Sequence, residues 1–405
     1  MDRSIDDLLI DPGFFQDPYP AYRRLRSEQP VYWSEAWNAW ILTRFDDAVA
    51  LLRTPETYSS AGRFTALLAS LPTPSSPGVE AVRRHYATGM IQSDPPDHTR
   101  MRQLVSKAFS PRRLEDMRPR IGAIVERLLD HALQAGSFDA IRDLAKPLPA
   151  LVISEMLGVP EADQEQMLAW SDAIVGFQAT ATAVPVRAEA SGAAIVAFES
   201  YFRELLSERL RHPQDDLLTA LAQAEAEGSR LSESELLSMC TTLYVAGHET
   251  TRNLIGNTLV CLFRHPEALD AIRSDPDATP GVIEEALRFE SPIQRAWRRV
   301  ASDVSLHGRR LETGQLVFMM LGAANRDPDH FASPDTFDVS RSPARHIAFG
   351  MGVHFCLGAP LARIEGQVAL DALARRMPQL RPTSQEFVWN QSIHIRGVKQ
   401  LLVTQ

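Results

Sequence analysis

Phe349-Gly350-Met351-Gly352-Val353-His354-Phe355-Cys356-Leu357-Gly358-Ala359-Pro360-Leu361-Ala362-Arg363 is the stretch that decides how this chain is read. Gly350 and Gly352 let the backbone turn tightly and come close to another group. From Leu357 onward the pattern turns helical, and Pro360 is tolerable only in the first turn of a helix. Cys356 therefore stands just before a helix N-terminus, where free N–H groups and the positive dipole end favour a thiolate. A lone thiolate between small residues suits a flat cofactor lying over the sulfur. On Cys356 alone, a buried structural cysteine is the more ordinary reading.

Working outward, Cys240 and Cys261 are the remaining cysteines of the 405 residues, and both read as packing. A sparse, odd set rules out a disulfide framework, a four-thiolate zinc site and a self-contained iron–sulfur cluster, and it fits a reducing, cytosolic compartment. Charge gives 42 − 51 = −9, against a nucleic-acid-binding surface. The start, MDRSIDDLLIDPGF, is acidic and lacks the features of a secretory signal. No stretch approaches the roughly 18–20 apolar residues of a membrane helix, and the longest, Leu316–Ala324, is about half that. A soluble cytoplasmic monomer without nucleic-acid or membrane partners is expected.

Most of the middle reads helical. Ile121, Ile124, Val125, Leu128 and Leu129 mark a helix over 119–133, and residues 193–210 carry the same spacing. The longest helix should begin at Ser232-Glu233-Ser234-Glu235, where Ser232 and Glu235 fit a capping box, and end near Arg264, ahead of His265-Pro266. It is apolar nearly all round, hence buried. Strand signals are peripheral: 31–33 with 40–43, 303–306, 316–319 and the C-terminal tail. Residues 60–92, with Leu71-Pro72-Thr73-Pro74-Ser75-Ser76-Pro77-Gly78, and residues 176–192 read as long loops beside a binding site. The fold class is mainly α (α+β), not a βαβ array.

Phe349-x-Gly350-x-x-His354-x-Cys356-x-Gly358 followed by Ala362-Arg363 resembles the haem-thiolate loop of the cytochromes P-450. The resemblance extends over nearly the whole chain. It implies one cytochrome P-450 domain over 1–405: a large helical lobe, a small β-rich lobe (roughly 25–60, 295–320 and 385–405), and haem b between two long helices. Cys356 would be the axial iron ligand, with Phe349, Gly350, Gly358 and Ala246 against the haem. Glu285-x-x-Arg288 matches the family's buried acid–base pair, and Arg341 in Phe337-Asp338-Val339-Ser340-Arg341 matches the arginine that completes it, a structural role.

Within the long helix, Ala246-Gly247-His248-Glu249-Thr250-Thr251 places polar residues where burial is expensive unless they are used. A mid-helix threonine can bond back to the carbonyl four residues earlier. By resemblance Glu249 and Thr250 are the catalytic pair that organises proton delivery. His98 and Arg102, i and i+4 after Asp94-Pro95-Pro96, share a helix face as two groups clamping a carboxylate would, and Arg100 points elsewhere. With Arg298 (Arg299 beside it blurs that assignment) and His354, they match the family's contacts to the haem propionates.

The implied activity is insertion of one oxygen atom from O2 into a C–H or C=C bond. Externally supplied electrons are needed, since the chain carries no flavin or dinucleotide fingerprint. A separate ferredoxin or flavodoxin with its reductase is expected, docking near Lys107, Arg112 and Arg113. Two alternatives stand beside this. A peroxide-driven haem-thiolate enzyme would lack the acid–threonine pair, and a haem-thiolate sensor would need a signalling element that the sequence does not show. The substrate pocket is expected to draw on Phe64, Leu67, Leu68, Met90, Ile91, Ile174, Phe177, Leu243, Ala246, Ile293, Gln294, Ile393 and His394. These are mostly apolar positions, fitting an apolar small molecule of the secondary-metabolite kind.

Overall fold

Ser232 accepts a hydrogen bond from the Glu235 N–H while the Glu235 carboxylate reaches back to the Ser232 N–H, so the expected capping box starts the helix Glu233–Arg264. Its 32 residues give about 48 Å of axis, enough to cross the molecule. The end falls at Arg264, with Pro266 opening the next helix. This computed structural model describes residues 3–69, 71, 76–134, 137–224, 228–341 and 345–404.

The long helix is the axis of the core. It packs against Pro147–Leu157 on one flank and against Ala359–Arg376, the helix after Cys356, on another; Arg118–Gln134 and Thr279–Phe289 close round that second helix. Side chains such as Leu254, Ile255, Leu259, Ile283, Leu370 and Leu373 are all nearly inaccessible. Each such burial is worth roughly 1.5–3 kcal/mol. Cys240 and Cys261 lie in this core, as their helical positions suggested.

A five-stranded sheet forms the other lobe, in the order Val31–Ser34, Ala39–Leu42, Leu316–Met320, Arg295–Val300, Tyr58–Ser59. The first two strands make the expected hairpin, with Trp33 opposite Trp40. Leu316–Met320 is buried at every position and pairs parallel to Ala39–Leu42. Val304–Leu306 pairs with Arg309–Leu311 in a separate ribbon. The tail strand Leu402–Thr404 joins Ser137–Asp139 and Arg381–Pro382 in a third sheet.

Two sequence expectations need correction. Residues 60–92 are not an open loop: Arg63–Leu68 and Pro77–Thr88 are helices, and Met90–Gln92 is a helical turn. Ser76 caps the second helix through the Val79 N–H, with Pro77 in its first turn, and Val79, Val82 and Tyr86 form its buried stripe. Pro72–Ser75 lie outside the described residues. Of residues 176–192, only 178–184 are non-helical, because Pro185 starts a helix that runs unbroken to Arg211. That helix crosses Pro77–Thr88 at Gly192, where an added Cβ would stand 2.0 Å from the Gly78 carbonyl oxygen. Arg295–Val300, at the start of the expected β-rich segment 295–320, is an interior strand that carries three arginines. Arg295 and Arg63 lie against the face of Trp297.

Candidate active site

Between the long helix, the Cys356 loop and the Arg295–Val300 strand lies a cavity of about 390 Å³. Cys356 lies on one wall, held by its own N–H donating to the Phe349 carbonyl at 3.0 Å. Gly352 (φ 71°) makes the turn possible: a Cβ there would be 2.4 Å from the Leu52 carbonyl oxygen. Pro360 falls within the first turn of Ala359–Arg376, as expected. Burial pushes the Cys356 thiol up; the N–H groups of Gly358 and Ala359 and the charge of Arg102 oppose that without overcoming it. A coordinated metal deprotonates a thiol outright.

The long helix contributes Leu243, Ala246, Glu249 and Thr250 to the cavity. Ala246 leaves its face open, and the Thr250 hydroxyl donates back to the Ala246 carbonyl at 2.8 Å, the bond expected of a mid-helix threonine. The Glu249 carboxylate is buried and tied: Arg252 Nη1 lies 3.1 Å away, Asn253 Nδ2 3.0 Å and His248 Nε2 3.6 Å.

His98, Arg102, Arg298 and His354 also line the cavity. The His98 and His354 rings stand 4.2 Å apart. His98 is 2% exposed and neither of its ring nitrogens has a partner. Burial, then the Arg298 charge, holds His354 down to about 2, and burial brings Arg298 to about 10. A buried donor left without a partner, as at His98, is favoured by anionic oxygen beside it. Arg298 is on the wall, whereas Arg299 donates to the Ala61 carbonyl at 3.2 Å and is off it. Arg100 turns to Glu235.

Sequence reasoning missed several members of the site. Arg63, 5% exposed, joins the cationic wall and donates to the Trp297 and Ile91 carbonyls at 3.1 Å each. Asp94 accepts from the Ser59 hydroxyl and from the Ser60 N–H at 2.8 Å, while the Ser60 hydroxyl stands 3.0 Å from His354 Nε2. One short segment therefore ties the His98 helix to the Cys356 loop. Glu284 takes both Arg363 Nε (2.6 Å) and Nη2 (2.9 Å), and Arg363 covers the Phe349 ring at 4.5 Å, bracing the loop from behind. Burial alone would raise Glu284; Arg363 and His346 bring it to about 2. The partners of Arg63, Asp94 and Glu284 are distant in the chain, so no local motif announces them.

Phe349, Gly350 and Gly358 are on the wall, as are Phe64, Met90, Ile91, Ile174, Ile293 and His394. Leu67, Leu68, Phe177, Gln294 and Ile393 are not. All five are buried behind it. Phe177 stacks on the outer side of Phe64 and Tyr86 with centroids 6.4 Å away, and Gln294 is consumed by Tyr22 and the Ser291 carbonyl. Their periodicity marked them as buried without saying which side of the wall they face.

Glu285, Arg288 and Arg341 come together away from the cavity. Arg288 uses all five donors: two on Glu285 (2.8 and 2.7 Å) and one each on the carbonyls of Asn325, Pro334 and Thr336. Arg341 Nε adds a third contact to Glu285 at 3.3 Å. Of the proposed docking residues, Lys107, Arg112 and Arg113 are exposed, and Arg113 pairs with Asp215 at 2.9 Å.

A family model described as Cytochrome P450 matches residues 66–377. The chain belongs to the cytochrome P450 family. It is 40% identical over 408 residues to Cytochrome P450 107B1 of Saccharopolyspora erythraea, covering 99% of this chain and 98% of that one. It is 41% identical over 401 residues to Cytochrome P450 monooxygenase PikC of Streptomyces venezuelae, covering 97% and 92%. Among solved structures, P450BioI in complex with a hexadec-9Z-enoic acid-ligated acyl carrier protein matches with a TM-score of 0.89 and 35% identity, over 97% of this chain and 99% of that one. This P450 is a monooxygenase with haem as its cofactor, and its fold is that of the family. Among the described residues no helix is long and apolar enough to cross a membrane.

The cavity suits that group. Its cysteine sulfur, the apolar face at Ala246 and the unpartnered His98 among cations match, in order, a metal, a flat ring and its carboxylates.

Proposed function

We propose that this P450 oxidises an apolar small molecule of the secondary-metabolite class, by hydroxylation or epoxidation, with electrons from a separate ferredoxin or flavodoxin. The observation that carries the reading is the placement of Cys356 and Thr250 on walls of one cavity, with the unpartnered His98 among cations beside them. Support for the substrate class comes from relatives: PikC, and the 6-deoxyerythronolide B hydroxylase of Saccharopolyspora erythraea, 38% identical over 416 residues.

Bound here, the haem would supply activation of dioxygen, for which a thiolate ligand is suited. The chain's own residues do the rest. Cys356 holds the metal. His98, Arg102, Arg298 and His354 hold the carboxylates, with Arg63 behind them. Glu249 and the Thr250 hydroxyl pass protons inward, Thr250 being held at a fixed angle by its bond to Ala246. Glu285, Arg288 and Arg341 fix the segment leading to the loop. The aliphatic wall of Met90, Ile91, Ile174, Leu243 and Ile293 excludes water and receives the substrate. Exposed Lys107 and Arg112, with Arg113 partly neutralised by Asp215, offer a basic face to an acidic electron donor.

The test is the ferrous carbon-monoxide difference spectrum. A red-shifted, thiolate-type Soret band is expected, and it should vanish in Cys356→Ser; an imidazole-type band overturns the assignment. In the same preparation, Thr250→Ala should lower product formed per NAD(P)H consumed. An unchanged ratio removes Thr250 from the proton path.

A further inference from the structure

Arg295 is one of the largest fully buried side chains in the molecule, 1% exposed, and it lines the cavity together with Gln178, Phe64 and His394. Its Nε and Nη1 have no hydrogen-bond partner. Nη2 reaches only the Gln178 carbonyl, at 3.3 Å. No carboxylate pairs with it among the described residues; its surroundings are the rings of Phe318 (4.4 Å) and Trp297 (5.3 Å). Burial pushes its pKa down to about 9, so it remains charged at neutral pH. A buried guanidinium left in this state is strongly disfavoured unless an occupant completes it.

The haem carboxylates are not that occupant. Along a strand, successive side chains point to opposite faces. Arg298 and Arg295 are three residues apart in Arg295–Val300, so they leave the strand on opposite sides. The Arg298 side carries His98 and His354; the Arg295 side carries Trp297 and Phe318. The neighbouring titratable groups do not supply a negative charge either. Arg63 is a further cation, Tyr22 is held protonated by burial, and burial keeps His394 neutral at about 3. Gln178 opens the turn between the helices Gln164–Phe177 and Pro185–Arg211, so its long carbonyl contact is one that a stronger acceptor can displace.

We propose that Arg295 binds a free carboxylate at one end of an otherwise apolar substrate, the carboxylate taking Nη2 in place of the Gln178 carbonyl. The proposal rests on the cavity being the substrate site, and it narrows the substrate from an apolar molecule to an apolar acid.

Holoenzyme showing the thiolate-type carbon-monoxide band is titrated with dodecanoate and hexadecanoate and with their methyl esters, by calorimetry and by the Soret shift. Each acid is expected to bind roughly tenfold or more tightly than its ester, as a charge-assisted bond implies. Arg295→Met should abolish that preference while ester affinity stays within about threefold, a change under 1 kcal/mol. Arg295→Gln serves the same purpose should the Met variant fail to load haem. Equal binding of acid and ester by the wild type, no binding of any acid, or an unchanged preference in the variants each overturns the proposal. Loss of the thiolate band in the wild type instead overturns the monooxygenase reading, which the calorimetric preference does not depend on.

Discussion

Arg288 and Arg295 are both almost wholly inaccessible, both near aromatic rings, and seven residues apart. Around Arg288 every N–H has a partner and a carboxylate cancels the charge. Around Arg295 two nitrogens are bare and the charge is uncompensated. The difference separates a region that is finished by folding from one that is finished by binding. On the Glu285 side the polar groups are spent on each other, so the segment before the Cys356 loop is rigid without help. On the cavity side, Arg63 Nε, His98 and Arg295 all hold donors in reserve.

The sharpest test removes the completed side. Arg288→Ala leaves Glu285 buried with only Arg341 and one backbone N–H, and should cost about 3–5 kcal/mol in urea unfolding, close to the whole margin of an ordinary domain. A loss under about 1 kcal/mol would break the comparison.

Next in size is pH. Burial holds His394 from its ordinary 6.5 down to about 3, so between those values the unfolded chain binds a proton that the folded chain refuses. Stability therefore rises with pH through that window and is fully present above about 6.5. At pH 5 the share of the loss due to His394 should be at most about 2 kcal/mol, read as a lowered Tm, with His354 adding in the same direction, and His394→Gln should remove that share of the slope. A Tm that is level from pH 7 to 5 would mean that the cavity side is not held in a desolvated state.

Arg341→Ala should be milder than Arg288→Ala, about 1–2 kcal/mol, since Arg341 is the more exposed partner and Arg288 keeps Glu285 paired. The smallest effect belongs to Arg295→Met, within about 1 kcal/mol of wild type in thermal melts without substrate, because it removes a charge that had almost no partners. A large loss there would place Arg295 with Arg288 as a fold-holding residue.

How much of this was legible beforehand follows the same division. Local grammar was readable: Ser232 and Glu235 as a capping box, Pro360 after Cys356, Glu285 three residues from Arg288. Misreadings arose where a segment's character depends on a distant surface. The helix Pro77–Thr88 looked irregular because of the prolines ahead of it, yet its stripe is completed by the helix Pro185–Arg211. The strand Arg295–Val300 falls in the β-rich segment that the resemblance implied, yet it shows no alternation of its own, because Arg295 is received by a ring on the neighbouring strand, Phe318. Leu67, Leu68, Phe177, Gln294 and Ile393 were correctly buried but on the wrong side of the wall, a distinction that periodicity does not encode.

At Gly192 and Gly78 two backbones meet with no side chain between them. Side-chain contacts can slide by changing rotamer, but a backbone-on-backbone contact has nothing to give. The two helices are thus set at the closest approach their backbones permit, and any side chain at Gly192 would have to part them. The turn at 178–184, just ahead of that helix, is where the Arg295 side chain has its only protein hydrogen bond among the described residues.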